Sequence, residues 1–168
     1  MKRRLAVKFM GQAGLSSLVL GGCGFKLRGS QSFVFQTIAV TPNPGGAVAV
    51  ELRRSFGGAV RVLEPEAPLT QAQVVLDILQ EQREKAVVGV NSSGQVREFQ
   101  LRMRVNFRIR TPQGDELVPD SEILQQRDIS FNETAVLAKE TEEALLFRDM
   151  QTDIVQQLMR RLAAIKQL

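Results

Sequence analysis

Phe99-Gln100-Leu101-Arg102-Met103-Arg104-Val105-Asn106-Phe107-Arg108-Ile109-Arg110 alternates apolar and polar residues without a break. A period of two belongs to a β-strand, whose successive side chains point to opposite faces. Phe99, Leu101, Met103, Val105, Phe107 and Ile109 therefore share one face, and Gln100, Arg102, Arg104, Asn106, Arg108 and Arg110 share the other. At a rise of about 3.4 Å per residue the strand spans about 40 Å. One whole face of it needs an apolar cover.

The flanking segments supply partners. Upstream, Asn91-Ser92-Ser93-Gly94 is turn chemistry that closes a hairpin with a strand over 73–90. Val74-Val75-Leu76-Asp77-Ile78-Leu79 reads as covered on both faces, whereas the polar run Gln80 to Lys85 is expected to project beyond the core. Downstream, Thr111-Pro112-Gln113-Gly114-Asp115 turns the chain into a third strand, Leu117 to Phe131, whose Pro119 suits an edge. Asn132 or Thr134 can cap a helix beginning at Ala135, in which Val136, Phe147, Met150, Ile154, Leu158, Leu162 and Ile165 keep helical spacing. With no Pro or Gly inside, this helix would run to about 45 Å across the sheet.

Nearer the N-terminus, Phe33 to Val40 reads as a first strand ended by Thr41-Pro42-Asn43-Pro44-Gly45-Gly46. Val48, Leu52 and Phe56 at i, i+4 and i+8 mark a short amphipathic helix, stopped by Gly57-Gly58. Val60 to Leu63 is a brief strand, and Glu64-Pro65-Glu66-Ala67-Pro68 an extended connector. The order predicts an α+β fold: a two-layer sandwich of a mixed, mostly antiparallel β-sheet packed against two helices, the C-terminal helix long. The arginine-bearing face is left without an obvious cover.

The first 22 residues differ from the rest. Met1-Lys2-Arg3-Arg4 is a basic n-region, Phe9 to Leu20 an apolar segment too short to cross a bilayer, and Gly21-Gly22 precede the single cysteine, Cys23. Leu20-Gly21-Gly22-Cys23 fits a lipobox. Residues 1–22 are then a cleaved lipoprotein signal peptide, and residues 23–168 a single domain held to a membrane by covalent lipid on Cys23. An ordinary secretory signal with an incidental thiol, or a buried N-terminal helix, is the competing reading. Cleavage would remove four of the 22 basic residues and leave 18 against 18 acidic ones, a formally neutral chain with no charge-based case for nucleic acid.

Histidine, tryptophan and tyrosine are absent, and cysteine occurs once. That excludes intramolecular disulfides, imidazole or thiolate metal sites, and Ser-His-Asp or Cys-His pairs. The nearest paired carboxylates, Glu64/Glu66 and Asp115/Glu116, sit beside Pro or Gly in turns, as solubilising loop residues do. No enzymatic activity, no metal and no cofactor beyond the lipid are expected.

Gly22-Cys23-Gly24-Phe25-Lys26-Leu27-Arg28, Gly94-Gln95 followed by Glu98-Phe99-Gln100, and Leu137-Ala138-Lys139-Glu140 opening the last helix together resemble the LPS-assembly lipoprotein family LptE, also called RlpB. The likeness in element order spans the whole chain after Cys23. It implies a lipoprotein on the periplasmic face of the outer membrane's inner leaflet, plugging and helping to assemble an LptD-type β-barrel that places lipopolysaccharide in the outer leaflet. It also implies direct lipopolysaccharide binding, with Lys139 as the matching basic residue. A basic residue at the hairpin tip does not carry over, since Ser92-Ser93 stand there. Arg97 or Lys85 could take its role.

Arg102 and Arg104, with Arg108 and Arg110, offer planar forks suited to phosphates or to acidic side chains of a barrel lumen. Pairing across strands with Glu81, Glu84, Glu122 or Asp128 is the alternative use of the same residues. For Lys139 the alternative is an i,i+4 pair with Glu143. The candidate lipopolysaccharide-binding residues are thus Lys139, Arg97, Arg102 and Arg104. Two other classes stay open: an auxiliary lipoprotein of another envelope transport system, and a lipoprotein enzyme using Ser or carboxylate chemistry.

Overall fold

A computed structural model describes residues 31–42 and 45–168. Cys23, its lipobox and the first 22 residues lie outside the described residues. Five strands form one sheet in the order β2-β1-β3-β4-β5, with β1 Thr37–Thr41, β2 Arg61–Val62, β3 Val74–Val90, β4 Val96–Arg110 and β5 Glu116–Ser130. Two helices, α1 Ala47–Ser55 and α2 Val136–Ala163, cover one face. β1 runs parallel to both β2 and β3, as the crossover through α1 requires, while β3, β4 and β5 form an antiparallel meander. The α+β sandwich read from the sequence is the fold observed.

The alternating strand does what its pattern demands. Leu101, Met103, Val105, Phe107 and Ile109 are fully buried against Val48 and Leu52 of α1 and against Met150, Ile154, Leu158 and Leu162 of α2. Each buried aliphatic or aromatic side chain contributes about 1.5–3 kcal/mol. An ion pair and a hydrogen bond across the domain show that α2 runs antiparallel to β3: Glu143 meets Lys85, and eight residues further on Gln151 accepts from Arg83. At 28 residues α2 spans about 42 Å and ends at Ala163, so Ile165 packs from beyond its last turn. Of the two candidate caps it is Asn132 that acts, accepting the Thr134 amide at 3.0 Å over a short 3-10 turn.

Two expectations are corrected and one is refined. The first strand begins at Thr37, because pairing with β2 starts only there; Phe33 and Phe35 instead form an aromatic cluster with Phe56, with ring centroids 5.3 and 5.6 Å apart. Gln80 to Lys85 extends past the buried core, as its polarity predicts, none of the six being buried, and there it stays paired to β4, with Glu81, Arg83 and Lys85 on the helix side. The arginine-bearing face is not bare throughout either. At its β1 end the connector lays Leu63 and Ala72 over Ala39 and Val75, a small second core.

Candidate functional site

Beyond the core, the tip half of the β3–β4 hairpin and the first half of α2 overhang together. All buried residues of α2 lie from Met150 onward, and Leu137 near its start is 80% exposed. Between the helix and the strand ends lies a cleft of about 270 Å³ whose walls include Phe99, Ile129, Phe131 and Val136. Phe99 and Phe131 meet edge to face, 5.3 Å between centroids at 81°. Val87 and Val90, on the hairpin beside it, are more than half exposed.

Two ammonium groups converge on this apolar floor. Lys85 Nζ sits 4.3 Å from the Phe99 ring centre, a cation–π distance, and 2.6 Å from Glu143 Oε2. Lys139 Nζ donates to Ser130 Oγ at 3.0 Å and to Glu142 Oε2 at 2.8 Å. The i,i+4 pair expected for Lys139 is therefore not formed. Glu143 is taken by Lys85 from β3, and Lys139 uses the neighbour at i+3 instead. Glu142 reaches Lys139 from the exposed helix surface and Glu143 reaches Lys85 from the partly exposed rim of the cleft; ion pairs this open to solvent contribute about 0.2–1 kcal/mol, so an anionic ligand can displace them. Hydrocarbon on the rings with phosphate at the ammoniums is the chemistry that this arrangement accepts.

The four candidate residues do not gather at one place. Lys139 lines the cleft. Arg97 is exposed at a shift in the β3–β4 register, its carbonyl accepting the Phe131 amide at 2.8 Å, and it is not among the cleft's walls. Arg102 and Arg104 point from the opposite face of the sheet. There Arg102 Nε donates to Gln100 Oε1 at 2.7 Å, although Glu84 stands directly across the ladder. Arg104 Nε lies 3.4 Å from Glu122 Oε2. That contact is electrostatic only, since the Nε–H makes no aligned hydrogen bond. Of the expected acidic partners, Glu122 alone pairs with an arginine of this face; Asp128 accepts from Gln100, and Glu81 caps α1 by accepting the Val48 amide at 3.2 Å.

Asp77, which no sequence pattern singled out, is the acidic hub of that face. It is 7% exposed and accepts from Arg108 Nε and Arg110 Nε at 2.8 Å each and from Thr41 Oγ1 at 2.6 Å. Burial pushes its carboxyl pKa up, but the bonds from Arg110, Thr41 and Arg108 outweigh burial and hold it below the ordinary carboxylate value. The same contact raises Arg108. The cluster ties β1, β3 and β4 together and offers no open coordination. Among the described residues no cluster of metal-ligating side chains occurs, and no helix is long and apolar enough to cross a membrane.

Scaffold and cleft together define a class: a two-layer α+β domain with an amphipathic, lysine-flanked cleft at the far end of a long hairpin. A family-wide sequence model described as LptE, lipopolysaccharide-assembly, matches residues 35–162, and the chain belongs to that family. It is 24% identical over 162 residues to the LPS-assembly lipoprotein LptE of Pectobacterium atrosepticum and 29% identical over 157 residues to that of Photorhabdus laumondii, covering 90% of this chain and 83% of each relative. Among solved structures, the solution structure of an uncharacterized lipoprotein B from Nitrosomonas europaea superposes with a TM-score of 0.72 at 33% identity, over 84% of this chain and 91% of that one. The rare lipoprotein B from Shewanella oneidensis shares the fold, with a TM-score of 0.64 at 20% identity, over 76% of this chain and 94% of that one.

Proposed function

We propose that this chain acts by binding rather than catalysis, as an outer-membrane lipoprotein that plugs and helps assemble an LptD-type β-barrel and takes part in inserting lipopolysaccharide into the outer leaflet. Its signal peptide, residues 1–22, is removed, and Cys23 carries the acyl chains that hold it to the periplasmic face of the inner leaflet; several chains together anchor firmly where one alone would not. The observation that carries the lipid-binding part is the convergence of Lys85 and Lys139 on the Phe99–Phe131 floor. Lys85 takes the basic role left open by the uncharged hairpin tip. Arg102 and Arg104, on the far face, are directed at acidic side chains of a barrel lumen or at phosphates reaching that face, and Arg97 at the outer rim.

Affinity purification of the tagged chain from outer-membrane extract tests the plug. Recovery of a large β-barrel at equal stoichiometry is expected; recovery alone, or with an inner-membrane transporter, defeats the reading and favours an auxiliary lipoprotein of another system.

A further inference from the structure

The meander leaves one long strand unpaired on its outer side. The β4–β5 register sets Glu98 opposite Ser130 and Phe99 opposite Ile129, so Arg97 stands opposite Phe131. The Phe131 amide donates to the Arg97 carbonyl at 2.8 Å, which makes that pair a hydrogen-bonded one. In an antiparallel ladder hydrogen-bonded pairs recur every second residue. Ile123, Gln125, Arg127 and Ile129 therefore turn their backbone groups toward β4. Glu122, Leu124, Gln126, Asp128 and Ser130 turn theirs outward, and all five are exposed. None of these outward groups is used by the β4–β5 ladder; the Gln126 carbonyl accepts from Arg127 Nη1 at 2.8 Å, a side-chain bond that an incoming strand would have to displace.

Long edges of this kind are commonly blunted by Pro, Lys, a bulge or a cover. β5 carries Pro and a register shift only near its start, where Pro119 and that shift precede Ser121; further on its only guards are the charges Glu122, Arg127 and Asp128. From Glu122 to Ser130 it has neither Pro, Gly nor Lys. The opposite edge, β2, is two residues long.

Charge says what fits. Across the face opposite the helices the rows alternate: Glu84 and Asp77 on β3; Arg102, Arg104, Arg108 and Arg110 on β4; Glu122 and Asp128 on β5. The next row in that order is basic. A second copy of this chain paired antiparallel through β5 about Gln126 would set Glu122 against Ser130 and Asp128 against Leu124, adding a second acidic row and no basic partner for either carboxylate, whereas a basic segment supplies both. We propose that the β5 edge, Glu122 to Ser130, is a strand-addition site for an extended segment of another protein carrying basic side chains at alternate positions. Main-chain bonds would supply the affinity and the Glu122 and Asp128 carboxylates the selectivity. The site is distinct from the lysine cleft and stands or falls independently of lipid binding.

Three fluorescein-labelled twelve-residue peptides, titrated into the full chain and read by anisotropy, test this: one alternating Lys with Thr and Val, one with Glu in place of Lys, and one with the Lys content kept but prolines at its centre. Binding of the first alone is expected, weakened at least tenfold by Gln126→Pro, which deletes an outward N–H without touching the β4 pairing. Should Gln126→Pro misfold by circular dichroism, the double variant Glu122→Lys/Asp128→Lys removes the selectivity while leaving the backbone intact, with the same loss expected. Equal binding of the proline-containing peptide, no binding of the alternating basic one, insensitivity to the folded variants, or a dimer of the chain that Gln126→Pro dissolves would each overturn the proposal.

Discussion

Replacing Asp77 by Asn should cost stability in a pH-dependent way. The substitution keeps shape but removes the charge that faces Arg110 and Arg108. Asp77 is 7% exposed, and Arg110 engages it through both Nε at 2.8 Å and Nη2 at 3.4 Å. A hydrogen bond to a charged group is worth about 1.5–3 kcal/mol, and Arg110, with 22% of its side chain exposed, recovers part of that from water. Asn retains one acceptor for Thr41. The expected loss is about 2 kcal/mol, which for a urea slope of about 1–3 kcal/mol per molar moves the unfolding midpoint down by about 1 M. Because the folded-state pKa of Asp77 lies below its unfolded value of about 3.9, its contribution is complete above that pH and disappears as pH falls through the folded value. Urea melts of the two proteins should therefore differ fully at neutral pH and converge as pH falls through the folded value, where wild-type Asp77 is protonated as well. A difference that is absent at neutral pH, or that persists undiminished in acid, would refute the hub.

Leu158→Ala, deleting a fully buried side chain where α2 meets the sheet, should destabilise by about 2–5 kcal/mol in the same melts. Lys139→Glu should weaken lipopolysaccharide binding about tenfold at low salt and less at high salt; unchanged low-salt affinity by surface plasmon resonance removes Lys139 from the site. Cys23→Ala should abolish acyl labelling, and label persisting in that variant overturns the anchor assignment.

Legibility in the sequence followed the strength of periodicity. The 99–110 alternation predicted its buried face residue by residue, and the apolar stripe of the last helix predicted Met150, Ile154, Leu158 and Leu162. What escaped was set by register. A turn made of all four residues 91–94 would pair Val90 with Gln95 and put Lys85 across from Gln100, on the arginine face. Instead the Asn91 amide bonds the Gln95 carbonyl at 2.9 Å, closing a three-residue loop with Gly94 at φ +78°. That single-residue shift sends Lys85 to the helix side opposite Leu101 and Glu81 to the side opposite Val105. The lysine cleft and the acidic cap of α1 both follow from it. Asp77 was hidden for another reason: one acid within an apolar run gives no sign of the arginines that a neighbouring strand will bring to it.

The same division explains why the two ends of the domain are suited to different work. At the β1 end, both faces of the sheet are covered and Asp77 cross-links three strands, so local opening there approaches global unfolding. Toward the hairpin tip, the apolar residues Val87, Val90, Leu137 and Leu145 are more than half exposed, and the start of the helix is held to the strands by the Lys85–Glu143 ion pair and the Lys139–Ser130 hydrogen bond. Few buried contacts resist opening at that end. Amides near the start of α2 should accordingly exchange with solvent through local openings far below the global stability, those around Leu158 only through global ones. A cleft flanked by Lys85–Glu143 and Lys139–Ser130 is then one that the proposed lipid ligand would enter without unfolding the scaffold, because the contacts it must displace are worth little individually.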